Sequence, residues 1–163
     1  GVATGATLML TSSLPAIGQR LRLRSSTPVP ATPRPFNPVR PKLFASALQA
    51  LAQHDDAIGE HDRIAIADFA LSSDEPRLHV INLGDGRACS LLVAHGSGSD
   101  PDHSGWLQRF SNEFDSNASS RGAFSTADYY VGKHGLSQRL LGLDATNNNA
   151  FDRAIVIHGA WYA

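Results

Sequence analysis

The sequence predicts a mainly β (α+β) domain, a β-sandwich or open barrel with one N-terminal helix and long loops. Three observations carry that expectation. Short apolar or alternating runs recur from residue 64 onward, turns rich in glycine and asparagine separate them, and one helical periodicity occurs, beginning near residue 41. The chain has 163 residues, of which 42% are hydrophobic and 18% charged, enough for one domain with a substantial core.

Before that domain the composition differs. Residues 1–54 carry six cations (Arg20, Arg22, Arg24, Arg34, Arg40, Lys42) and no carboxylate, whereas the remainder carries eight cations against fifteen carboxylates. This is a basic leader on a mildly acidic domain, too poor in Lys and too rich in Pro for a nucleic-acid stripe. The chain opens on Gly rather than Met, which reads as a start downstream of translation initiation. Val2 to Leu10 is mildly apolar, and Thr11 to Ala16 resembles the small-residue end of a secretory signal. Arg20, Arg22 and Arg24 follow too closely for efficient export, so an unstructured leader fits as well. Pro28 to Pro38 holds five of the nine prolines and reads as an extended linker. The expected division is therefore a leader, signal remnant and Pro-rich linker over 1–40 and a domain over 41–163.

Within the domain, Phe44, Leu48, Leu51 and Ala52 share one face of a helix over about residues 41–54, with Pro41 tolerated in its first turn. Ile64 to Leu71 reads as a strand. Arg77 to Leu83 and Arg87 to Ala94 form a hairpin around Asp85-Gly86, where glycine supplies positive φ. His95 to Pro101 reads as a flexible polar loop; it lacks the Lys and following helix of a phosphate-binding loop. Trp106 to Phe110 is expected to make one helical turn and Ser111 to Gly122 a loop. Ala123 to Val131 and Leu136 to Leu143 are strands around Gly132-Lys133-His134-Gly135, and Asn147-Asn148-Asn149 is a turn. The one cysteine, Cys89, cannot form an internal disulfide and reads as a small buried hydrophobe on its strand. No run is long enough for a transmembrane helix.

The last stretch carries the chemistry. Ile155-Val156-Ile157 reads as a buried strand that ends on His158-Gly159, where a strand leaves the core for a cleft. An imidazole there can take a proton from a nucleophile and return it to a leaving group, and glycine lets a substrate backbone approach. A satisfied core histidine is the ordinary alternative.

The order of motifs before His158 is more specific than any one of them. His95-Gly96, Phe110-Ser111-Asn112, Ser119 to Phe124, Gly132 to Ser137, Gly142-Leu143, Asn147 to Ala150 and Arg153 to Tyr162 together resemble the murein L,D-transpeptidase catalytic domain of the YkuD-like superfamily. The resemblance covers about residues 63–163. It implies acyl transfer on peptidoglycan stem peptides: a cysteine thiolate attacks the carbonyl of the third stem residue, D-alanine leaves, and an amine or water resolves the thioester. His158 matches the family's base. The family's cysteine stands in a Ser-x-Gly-Cys motif one loop downstream of the His-Gly, past Ala163, and Cys89 lies on the wrong strand to replace it. The polypeptide as given is therefore expected to hold the base without the attacking group and to be inactive by itself, as a fragment rather than a degenerate member. Gly159, His134, Lys133 and Trp161 are the expected substrate contacts, the last two positions offering a cation for a stem carboxylate and an aromatic wall. No cofactor and no metal are called for, and a periplasmic or cell-envelope location follows from the substrate.

Two other functions compete. A zinc hydrolase could draw ligands from His95, His103, His134, His158, Asp100 and Asp102, although no His-Glu-x-x-His pattern exists. A non-catalytic wall-binding module is the other, kept open by the absent cysteine.

Overall fold

The computed structural model describes residues 7–10 and 38–160. It contains one helix, α1 (Pro41–Gln53), and seven strands: β1 (Thr7–Leu10), β2 (Arg63–Ala67), β3 (Leu78–Asn82), β4 (Ala88–Leu91), β5 (Gly122–Gly132), β6 (Gly135–Gly142) and β7 (Val156–His158). The fold is mainly β with one helix and long loops, as expected.

The strands form one sheet in the order β4-β3-β2-β1-β5-β6-β7. β2–β3–β4 and β5–β6–β7 are two antiparallel meanders. β1 joins them, antiparallel to β2 and parallel to β5, with Thr7 opposite both Ala67 and Gly122. Residues 7–10 thus belong to the centre of the sheet rather than to a leader outside the domain. Ile64, Ala65, Ile66 and Ala67 are all buried because a central strand is covered on both faces. On one face, Ile64, Ile66, Ile81 and Ala123 pack with Val39 and Ile58 under α1. On the other, Ala65, Phe124, Leu140 and Ala150 form a second cluster with Leu78, Val80, Ile155 and Ile157.

That second face is strongly curled. Neighbouring strands are ~4.8 Å apart, so a flat sheet would hold β4 and β7 at about 29 Å. Instead Leu91 of β4 and Val156 to His158 of β7 line one cavity. Of the two architectures expected, the open barrel is the one that brings these edges together.

Local differences have identifiable causes. In α1 the stripe against the core is Leu43, Phe44, Ala47, Ala50 and Leu51, while Leu48 and Ala52 are exposed. Val39 is 4% exposed, so the core begins before the helix. The helix start has no side-chain cap; Arg40 instead donates two hydrogen bonds to Asp68, Nε to Oδ2 at 2.7 Å and Nη2 to Oδ1 at 2.6 Å. The same Asp68 ends β2 early, because its carboxylate accepts the Ala70 N–H and its carbonyl that of Leu71. Trp106 to Phe110 forms no helical turn. Cys89 is exposed, not buried, since β4 is an edge strand. The hairpin at Asp85-Gly86 is present, with Gly86 at φ 71°.

Candidate active site at the end of β7

Among the described residues β7 is an edge strand, paired with β6 alone. Its residues are half-buried rather than enclosed, which corrects the expectation of a core strand. The pairing sets His158 opposite Ser137, Ile157 opposite Gln138 and Val156 opposite Arg139. Upstream, the Arg153 guanidinium holds the approach to the strand by donating to the Ser111 and Ala118 carbonyls and to the Ser116 and Ser120 hydroxyls. The sheet edge is therefore anchored just before the imidazole and open just after it.

His158 Nδ1 lies 2.9 Å from the Gly159 carbonyl oxygen. A carbonyl can only accept, so Nδ1 carries the proton and Nε2 presents a lone pair. An added Cβ at Gly159 would meet nothing within 4 Å, which leaves open space beside the ring. The His134 ring, from the β5–β6 turn, stacks on His158 with centroids 4.4 Å apart and planes 15° apart. Partial desolvation, then the charges of His158 and Lys133, hold the His134 imidazole below its usual range.

Two cavities meet at His158. One, of about 500 Å³, is apolar, with Phe69, Leu78, Leu91, Phe124, Leu140 and Ile157 in its walls. The other, of about 780 Å³, is polar and includes His95, Asp100, His103, Asp115, Asp152 and Arg153. Ser119 and Val156 border both. Every non-glycine residue with positive φ among the described residues, His103, Asp115, Asn117 and Ala154, lines the polar cavity. Strained backbone persists where the surroundings over-determine it, and such places concentrate at functional sites.

Behind that cavity stands Arg77, a residue the sequence did not single out, which holds His95 of the cavity wall. Arg77 is fully buried. It donates to the Val93 and Leu71 carbonyls and to His95 Nδ1 at 2.9 Å, and lies 4.9 Å above the Phe69 ring. His95 Nε2 in turn faces Asp100 Oδ2 at 3.5 Å. Arg77 must donate, so His95 accepts at Nδ1 and carries its proton on Nε2. Burial and the neighbouring Arg77 charge push His95 down, against the opposing pull of Asp100. Burial would raise the Asp100 carboxyl, but hydrogen bonds from Ser104 and Gly105, with the pull of His95, lower it to about 2. His95 is thus an enclosed part of a network, not a solvated loop residue. The loop itself is ordered: Gly96 and Gly98 press so closely on Asn117 and Ser116 that a Cβ at either would run into a backbone carbonyl.

The structure brings His158, Gly159 and His134 together and leaves Lys133 exposed beside them. Trp161 lies outside the described residues. Cys89 lines neither cavity. Of the four histidines of the zinc reading only His134 and His158 meet, as a stack, and among the described residues no three His, Cys, Asp or Glu side chains could share an ion.

The site is thus a curled β domain with one imidazole, its Nδ1 hydrogen-bonded to the Gly159 carbonyl, at the junction of two cavities. A family model described as the L,D-transpeptidase catalytic domain matches residues 37–163. The chain belongs to that family, whose members act on peptidoglycan. No curated protein and no solved structure matches it. No helix among the described residues is long and apolar enough to cross a membrane.

Proposed function

We propose that the chain supplies the base and substrate walls of a peptidoglycan L,D-transpeptidase acting through a cysteine thioester. The observation that carries this reading is the Nδ1–Gly159 hydrogen bond, which leaves His158 Nε2 able to accept a proton between the two cavities. Nε2 takes the thiol proton, and the thiolate sulfur attacks the carbonyl of the third stem residue. The proton passes to the departing D-alanine nitrogen. A stem amine then attacks the thioester, forming a 3-3 cross-link and releasing the thiolate; water in its place gives carboxypeptidase activity. The family pattern puts the thiol in a Ser-x-Gly-Cys motif downstream of His158-Gly159, and we assign the nucleophile there rather than to Cys89. Lys133, His134, Gly159 and Trp161 are the substrate contacts, and the enzyme works in the periplasm or cell envelope, where its substrate lies.

The test uses the protein carrying that downstream motif. His158→Ala should lower acylation by a carbapenem-type β-lactam, followed by intact-mass spectrometry, about 10²–10⁴-fold while leaving the fold intact. Cys89→Ala should acylate normally. Near-normal acylation of the first variant, or none in the second, overturns the assignment. The rival reading is a wall-binding module without catalysis. Binding to isolated peptidoglycan without acylation would establish it.

A further inference from the structure

We propose that His134 is a positioning residue for His158: its imidazole lies flat on the base and holds that ring with Nε2 toward the cavities. This deepens the acyl-transfer reading and rests on it for the role of His158. The geometry begins with the turn. Gly132 and Gly135 close the β5–β6 hairpin as a pair, and Gly135 has φ 79°. The Ser137–His158 register then sets the turn beside the end of β7. The two rings meet at 4.4 Å and 15°, close to parallel, which is a stack rather than a hydrogen bond. Among the described residues, the ring of His158 is otherwise held only by the carbonyl of its own neighbour, Gly159. On an edge strand that single local bond leaves the ring's tilt to whatever covers its face.

The surrounding charges favour a neutral cover. Lys133 adjoins His134 in the turn, and Arg139 of β6 is drawn away over the Tyr130 and Phe151 rings. Across the polar cavity stand Asp100, Asp152 and Arg153. Two protonated imidazoles at this separation repel by the equivalent of about 0.7 pH unit even in water. His134 therefore gives up its proton readily and serves as a flat, uncharged cover.

Imidazole NMR tests this on the chain whether or not it transfers acyl groups. His134→Ala should remove the ring-current shift of the His158 carbon-bound protons, and His134→Phe, which keeps a flat ring, should retain it. In His158→Gln the His134 titration midpoint should rise by about 0.5–1 pH unit. In the protein carrying the nucleophile, His134→Ala should slow the maximal acylation rate about 10-fold, and His134→Phe, which restores the flat cover, should recover most of it. Unchanged His158 signals in His134→Ala, or an unmoved His134 midpoint in His158→Gln, overturns the proposal. A rescued stack with no acylation in the wild type overturns the proposed function alone.

Discussion

The two sides of the site are built by opposite means. The wall with His95, Asp100 and Arg153, backed by Arg77, is tied by polar groups matched to partners, several from distant parts of the chain. The side carrying the base is an edge strand and a hairpin tip where Val131 is 81% and Leu136 65% exposed. An enclosed polar network resists rearrangement because each lost bond strands a partner; an exposed tip loses little when altered. The molecule thus keeps its shape on one side of the cleft and leaves the imidazole accessible on the other.

The sharpest way to break that contrast is Arg77→Met. It leaves two partly buried carbonyls and an enclosed His–Asp pair without their cation, and unfolding in urea should show a loss of roughly 3–5 kcal/mol. Next comes Gly98→Ala, whose Cβ would meet the Ser116 carbonyl. Overpacking of this kind should cost roughly 1–3 kcal/mol by the same measurement.

Acid should act on buried groups too, on the enclosed side through His95 and on the helix-covered face of β3 through His79. His95 and His79 both sit below the usual imidazole value of 6.5, in each case chiefly through burial, and His79 Nε2 has no hydrogen-bond partner. A depressed histidine binds its proton more weakly folded than unfolded. The stability it confers is therefore present above pH 6.5 and lost as pH falls from there through the folded value. The carboxyl of Asp100 has the same sign, its stabilisation fading from about pH 4 toward about 2. Thermal melts from pH 7.5 downward should show Tm falling first below about pH 6.5, and His79→Phe should flatten that first decline. At the small end, Val131→Lys on the hairpin tip should change stability by no more than about 0.5 kcal/mol in urea. A loss near that of Arg77→Met would erase the contrast between the two sides.

Elements set by local chemistry were legible in the sequence. The Asp85-Gly86 hairpin, β5, β6 and the His158-Gly159 strand end follow from alternation and turn residues. Pairings across long stretches were not. Arg77 and His95 meet only because β3 and the segment after β4 lie side by side, so a histidine opening a glycine-serine stretch read as part of a flexible polar loop. Thr7 to Leu10 is too short and too weakly apolar to announce a central strand, and a Pro-rich stretch separates it from its partners. Cys89 shows the opposite error: a small residue in an alternating run looked inward, but its strand lies at the margin of the sheet. His134 was legible as a turn residue near the cleft; the ring it covers depends on the β6–β7 register, which no local pattern reveals.

Placing β1 between the two meanders has a kinetic corollary. Each meander can assemble from neighbours close in sequence, whereas the strand that unites them must find Ala67 and Gly122 across far greater separations in sequence. Contacts of such range are the slow ones to form. The halves are thus expected to form early and separately, with the cleft taking its final width only when the chain's opening residues zip the two together.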